Sequence, residues 1–218
     1  MILETIIVGA LQANCYVCGC ARTRQAVVID PGDNASAIIE TLGRHNLSLS
    51  RIVATHAHFD HVLAAQSLQE VTGAPFYIHP ADRPILAAMR QTTLAWMGYD
   101  PGELPQVSGD LTAGDVITIG DLALEVRPTP GHSPGGVTFV DYAGRRAFTG
   151  DALFAGSIGR TDLPGGAIET LLAGIRSQIL SLPDDYAVLP GHGPASTVGE
   201  ERRTNSFLMH PSSFEFWR

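Results

Sequence analysis

Thr55-His-Ala-His-Phe-Asp-His61 is the stretch on which the reading of this chain turns. The chain has 218 residues and eight histidines, yet His56, His58 and His61 fall within six consecutive positions, with Asp60 among them. The stretch leaves the β-branched run Ile52-Val-Ala-Thr55. Alternate side chains of an extended segment share a face, so His56 and His58 point the same way. A turn into a following helix swings Asp60 and His61 toward the same cavity. Imidazole and carboxylate suit Zn²⁺, Fe²⁺ or Mn²⁺. Four such ligands exceed what one catalytic ion with an open position takes, so a site for two divalent metal ions follows, with zinc the first candidate and iron or manganese behind it.

Three more residues extend the pattern, each at the end of an expected strand. His132 lies in Thr129-Pro-Gly-His-Ser-Pro-Gly135, where Pro and Gly shape a tight loop. Asp151 follows Phe148-Thr-Gly150, and His192 sits in Gly191-His-Gly193. A histidine in a Gly/Pro loop means little alone. Seven ligand-type residues at four strand ends form one constellation: His56, His58, Asp60, His61, His132, Asp151 and His192.

Around it, β-like runs alternate with helical ones. Ala26–Asp30, Ile52–Thr55 and Phe76–Ile78 read as strands, and a meander follows at Val116–Ile119, Leu122–Arg127, Val137–Val140 and Ala147–Thr149. Tyr186–Leu189 is the last strand. Helices are expected at Asn34–Arg44, Val62–Val71, Pro80–Met97 and Ile168–Leu180, and a surface loop over Asp100–Gly109. Strands in two successive sets with helices suggest an α/β protein built as an αβ/βα sandwich of two similar halves. At this length one domain, 1–218, is the expectation.

Composition narrows the function classes. Lys+Arg 14 against Asp+Glu 22 gives a formal net charge of −8, which disfavours nucleic acid and anionic membrane surfaces as partners. Cys15, Cys18 and Cys20 cannot make a distributed disulfide framework and suit a reducing compartment. They read as packed strand residues, not a metal site. No secretory signal or membrane-spanning run is evident, so a cytoplasmic location is expected. His45, His79 and His210 have no companions and read as surface or satisfied histidines; Trp96, Met97 and Tyr99 read as core packing, with cover for the pocket as the alternative.

The set and order of the seven ligands resemble the metallo-β-lactamase-fold superfamily, whose HxHxDH motif is followed by a later His, Asp and His. The resemblance runs from Asp30-Pro-Gly32 to Gly191-His-Gly-Pro194. It implies a four-layer αβ/βα sandwich of two mixed sheets flanked by helices. It further implies that His56, His58 and His132 hold one metal, that Asp60, His61 and His192 hold the other, and that Asp151 bridges them. Asp30 is either a partner of a ligand histidine or a cap of the helix that follows.

Asp151 distinguishes this chain from zinc β-lactamases, which carry Cys or Ser at that position. Gly150-Asp-Ala-Leu-Phe154 and Gly159-Arg-Thr-Asp-Leu163 resemble the glyoxalase II group, in which a basic residue near Arg160 holds the glutathione part of the substrate. Asp162 departs from that group, which has an aromatic residue there, and only 24 residues follow Pro194, too few for a glutathione-binding helical domain. The short, single-domain bacterial glyoxalase II-like proteins resemble it better. The resemblance thus implies a thioester hydrolase, hydroxyacylglutathione hydrolase-like, acting on S-lactoylglutathione or a related small-molecule thioester. It further implies a metal-bridged hydroxide attacking the carbonyl, Asp60 and Asp151 as the catalytic carboxylates, and Arg160 as the substrate-binding residue, the alternative for Arg160 being a structural pair with Asp162. The alternative is a mononuclear iron persulfide dioxygenase using His56, His132 and Asp151, ahead of a lactonase or a metal-binding protein without turnover.

Overall fold

The structure, a computed structural model, describes residues 1–209; His210 lies outside them. The first sheet has strand order β1-β2-β3-β4-β5-β6: β1 (Ile2–Val8), β2 (Ala13–Gly19), β3 (Gln25–Ile29), β4 (Ser48–Val53), β5 (Phe76–Ile78) and β6 (Val107–Asp110). β1 and β2 form an antiparallel hairpin, whereas β3 to β6 run parallel. Their crossovers carry α1 (Ala35–Arg44), α2 (Phe59–Val62), α3 (Ala65–Thr72), α4 (Arg83–Ala87) and α5 (Met89–Met97).

The second sheet takes β7 (Val116–Ile119), β8 (Leu122–Pro128), β9 (Val137–Asp141) and β10 (Arg146–Gly150). A small hairpin of β11 (Leu153–Phe154) and β12 (Ser157–Ile158) and then α6 (Ile168–Gly174) precede β13 (Ala187–Pro190) and β14 (Ser196–Thr197). Its order is β14-β13-β10-β9-β8-β7, with β10 and β13 parallel. α7 (Val198–Thr204), opened by a Thr197/Glu200 capping box, and α8 (Ser206–Met209) close the described chain.

Period-two alternation in the buried strands builds the layers. In β3, Val28 packs with Ile38, Ile52, Leu68, Phe76 and Met89 toward the helices, while Val27 and Ile29 meet Ile119, Leu124, Phe139 and Phe148 between the sheets. Val140 and Ala147 turn the other way, toward Leu171, Ile175 and Val198. The four-layer αβ/βα sandwich of two mixed sheets flanked by helices is as expected.

Several elements depart from the expectation. The helix foreseen at Val62–Val71 is two helices, because the Ala64 N–H donates to the Pro31 carbonyl (2.9 Å). Pro80–Met97 breaks into a 3₁₀ turn, α4 and α5, and the helix from Ile168 finishes as a π turn over Ile175–Ile179. The Asp100–Gly109 loop ends in the edge strand β6, whose Ser108 hydroxyl also accepts the Phe76 N–H (3.2 Å). Trp96 and Tyr99 are 54% and 44% exposed, not core residues, since Trp96 lies on the outer face of α5 and Tyr99 follows its Gly98 cap; Met97 packs against the first core. Cys15, Cys18 and Cys20 are free and buried. His45 bonds Glu4 (2.8 Å) and His79 accepts the Ala81 N–H (3.2 Å), so both are satisfied.

Candidate metal centre

Six of the seven ligand-type residues come from segments that leave the parallel strands β4, β10 and β13, and the seventh, His132, leaves β8, which pairs antiparallel on both sides. This is where open α/β sheets place their ligands. His56 and His58 follow β4, Asp60 and His61 open α2, His132 leaves β8, Asp151 directly follows β10, and His192 follows β13. Their ligand atoms fall into three overlapping groups, each within 4.8 Å: His56, His58 and His132; His56, His61 and Asp151; Asp60, His61 and His192. All seven sequence-derived residues thus meet in one cavity.

Hydrogen bonds behind the rings decide which nitrogens face that cavity. His132 Nδ1 donates to the Arg160 carbonyl (2.8 Å) and His192 Nδ1 to the Leu11 carbonyl (3.0 Å); a carbonyl can only accept, so both protons sit on Nδ1. His61 Nδ1 donates likewise to Asp30 Oδ2 (3.1 Å). Thr55 Oγ1 spends its single proton on Asp30 Oδ2 (2.7 Å) and so accepts from His56 Nδ1 (3.1 Å). The four Nε2 atoms therefore face inward, each placed to take a metal ion or a proton. His58 instead turns Nδ1 inward, 2.9 Å from His132 Nε2.

Such a gathering of ring nitrogens is unfavourable unless a cation lies among them. Asp151 Oδ1 lies 3.4 Å from His61 Nε2, and its Oδ2 lies 3.5 Å from His132 Nε2 and 3.7 Å from His192 Nε2, so one carboxylate reaches both ends of the cavity. His56 Nε2 and Asp151 Oδ1 are buried with no hydrogen-bond partner. Buried polar atoms are rarely left so, and both belong to strong metal donors. The donor set fits two divalent ions.

Electrostatics divide the cluster. Burial, then the neighbouring histidines, push His56 well down, and the same causes bring His58 down to about 4, so both are neutral and ready to ligate. Burial pulls His61 down too, but Asp151, Asp60 and Asp30 outweigh it and carry it up to about 10. For Asp60, burial acts upward and is outweighed by His61 and His192, which hold the carboxyl well below the usual range. The same carboxylates would favour a metal ion over the protons it displaces.

Asp30 is the partner of a ligand histidine and not a helix cap; Asn34 caps α1. Its Oδ1 accepts the Thr55 N–H (2.6 Å), and its backbone is left-handed (φ 52°). The turn it opens is tight: a Cβ on Gly32 would lie 1.7 Å from the Asp60 carbonyl oxygen, so only glycine lets the turn back the HxHxDH loop. At Gly191 a Cβ would lie 2.1 Å from Asp151 Oδ1 and fill the centre itself. Arg160 stands at the rim. Its guanidinium makes two bonds to Asp162 (2.7 and 2.6 Å) and lies 5.9 Å from the Trp96 ring centroid. Sequence reasoning missed Asp82 and the carbonyls of Leu11 and Arg160; the carbonyls carry no side-chain signal, and Asp82 looks like any acid at a helix start.

A sandwich of this kind with a His/Asp cluster at its strand ends defines a metal-dependent hydrolase fold and site. Residues 8–192 match the model of the metallo-beta-lactamase superfamily, and the chain belongs to that superfamily. It is 34% identical to the hydroxyacylglutathione hydrolase GloC of Haemophilus influenzae, over 97% of this chain and 100% of that protein. Among solved structures it resembles TTHA1623 in a di-iron-bound form (40% identity, TM-score 0.86, 94% of this chain and 100% of that one). It also resembles the BLEG-1 B3 metallo-beta-lactamase (37%, TM-score 0.87, 95% and 99%). Among the described residues, no helix is long and apolar enough to cross a membrane.

Proposed function

We propose that this protein is a di-metal thioester hydrolase, hydroxyacylglutathione hydrolase-like, with the seven residues above as its ligands. The observation that carries the reading is Asp151: a carboxylate between two histidine groups, with one buried oxygen unpartnered. Similarity to GloC over essentially both full lengths supports a thioester as the substrate. Zinc suits the donor set, and the di-iron form of TTHA1623 makes iron the competing occupant. A divalent ion held by these residues would lower the pKa of a water to about 7 and would polarise the carbonyl under attack.

The chain's own residues do the rest. Asp60 stays ionised and acceptor-only; it lies 3.2 Å from His192 Nε2 and orients the attacking water by accepting its proton in a hydrogen bond. Asp151 holds the two histidine groups at a fixed spacing. The leaving thiolate, with an ordinary pKa of about 8.5, departs without an acid. No cysteine nucleophile is needed: burial pushes the thiols of Cys15 and Cys18 up.

The test is thiol release from S-lactoylglutathione by metal-replete protein, with a chelator control. Saturable, chelator-sensitive turnover is expected. Absent turnover with oxygen uptake on glutathione persulfide would replace the hydrolase by the dioxygenase reading. Because BLEG-1 is described as a β-lactamase, a chromogenic cephalosporin belongs in the same assay; preferential turnover of it would also overturn the thioester assignment.

Arg160 is the proposed contact for a substrate carboxylate, and Asp162 already closes its fork. Both side chains are about half exposed, so the pair contributes little stability and can be opened cheaply. Asp162→Ala is expected to lower KM for S-lactoylglutathione by about threefold or more, because a free guanidinium gains a charge-assisted bond to the substrate. An unchanged KM would place Arg160 outside the substrate's reach.

A further inference from the structure

We infer that Asp82 is a positioning residue for one half of the metal centre, a clamp that sets the distance between the loop bearing His56 and His58 and the loop bearing His132. Asp82 ends the 3₁₀ turn Pro80–Asp82 after β5 and is fully buried. It stands at the N-terminus of α4, yet its carboxylate makes no cap bond there. It looks across the strand ends instead. Oδ2 accepts the Ala57 N–H (2.9 Å), the amide between the first two histidines of the motif. The same oxygen accepts the Ser133 hydroxyl (2.8 Å), one residue past His132, and Oδ1 accepts the Gly135 N–H (2.6 Å).

One carboxylate thus joins two loops that are some 75 residues apart in the chain, and it does so directly behind the ligands. The polar contact between those loops in the cavity is His58 Nδ1 to His132 Nε2 at 2.9 Å, a bond that holds only while a proton lies between the two nitrogens and that is lost when both turn to a metal ion. The loops therefore need a tie on the side away from the cavity, and Asp82 is that tie. Gly135 is shaped by the same contact. A Cβ there would lie 2.8 Å from Asp82 Cγ and Oδ1, so the residue is glycine to let the carboxylate reach the amide. An amide in place of the carboxylate cannot reproduce the set. Whichever way it turns, an NH₂ faces either the Gly135 N–H or the Ala57 N–H, both of which can only donate. Asp82 touches neither Asp60, His61 nor His192, so its effect is confined to the His56/His58/His132 group.

The inference rests on the metal-centre reading and not on the choice of substrate, so Asp82→Asn can keep both ions while thioester hydrolysis stands, and can lose one ion in a protein that does not turn over the thioester. The experiment is a Co²⁺ titration of the chelator-treated full chain, followed by absorption and by competition with a chromophoric chelator. Wild type is expected to take two ions. Asp82→Asn should hold one as tightly as wild type and the other about 10–100-fold more weakly, the usual cost of losing an outer partner of a metal ligand. Asp141→Asn is the control for general destabilisation. Asp141 is also buried and bonds the Gly144 N–H and Arg146, at the end of β9 and β10 remote from Gly150. It should lower the melting temperature and leave both ions in place. Equal retention of both ions by Asp82→Asn, equal weakening of both, or the same one-ion loss in Asp141→Asn would overturn the inference. Should Asp82→Asn not fold, Ser133→Ala removes a single donor and is expected to weaken one ion severalfold; unchanged affinity there overturns it equally.

Discussion

Asp151→Ala is expected to hold fewer than two divalent ions per chain and to lose kcat on the thioester by more than about 100-fold, beyond what loss of an outer partner of a metal ligand costs. Asp151 is the one residue whose two oxygens address both groups, His61 through Oδ1 and both His132 and His192 through Oδ2. Alanine removes the anion but leaves five imidazole nitrogens facing one another. Asp151 is among the groups that raise His61 and His192, so its loss lowers the hold of both rings on any cation, and the second ion loses the anionic donor shared between the groups. Metal content by elemental analysis and single-substrate kinetics on the same sample check this. Full turnover with one ion per chain would overturn the di-metal mechanism.

Asp30→Ala is expected to lower the stability of the metal-free protein by about 3–5 kcal/mol, the usual cost of removing one member of a buried, hydrogen-bonded charge pair. The side chain is buried and accepts from the Thr55 amide, the Thr55 hydroxyl and His61 Nδ1; alanine leaves all three without an acceptor. For a chain of this size that loss is roughly 10 °C in melting temperature. Alanine also fits the left-handed backbone at φ 52° poorly, whereas asparagine tolerates it. Asp30→Asn should therefore keep most of the stability and fail differently. One amide oxygen can still take the Thr55 N–H, but the NH₂ then faces His61 Nδ1 and forces that nitrogen to accept. The ring proton moves to Nε2 and blocks the lone pair needed in the cavity. The expected pattern is a small thermal shift with metal affinity down about 10–100-fold for Asn, against loss of both for Ala. Equal melting temperatures for the two variants, or wild-type metal binding by Asp30→Asn, would remove Asp30 from the role of setting the His61 tautomer.

Much of the fold was legible because the central strands are buried on both faces and read as β-branched runs, as in Gln25–Ile29 and Val137–Asp141, while the edge-side Val116–Ile119 alternates exposed and buried; all three lie within a residue or two of their expected bounds. The helices were placed less well for a physical reason each time. The break at Ala64 is made by a carbonyl from Pro31, more than thirty residues away, and no local periodicity reports that. β6 forms because β5 offers it an open parallel edge, not because Val107–Asp110 has a strong preference of its own.

The candidate ligand set was legible in the chain alone. Imidazole and carboxylate carry their chemistry in the residue type, and the loops that hold them follow strands whose ends are marked by Gly and Pro, so His56, His58, Asp60, His61, His132, Asp151 and His192 could be chosen without a structure. Which nitrogen of each ring faces the cavity could not. That depends on the Leu11 and Arg160 carbonyls, which every residue possesses, and on Asp30 and Thr55, whose bonds to the histidines exist only once β3 and β4 lie side by side. The tie between the two ligand loops through Asp82 likewise comes into being only when β5 ends beside both of them. Residue type selects the donors, and tertiary packing, by placing acceptors behind them, sets their protons and their spacing.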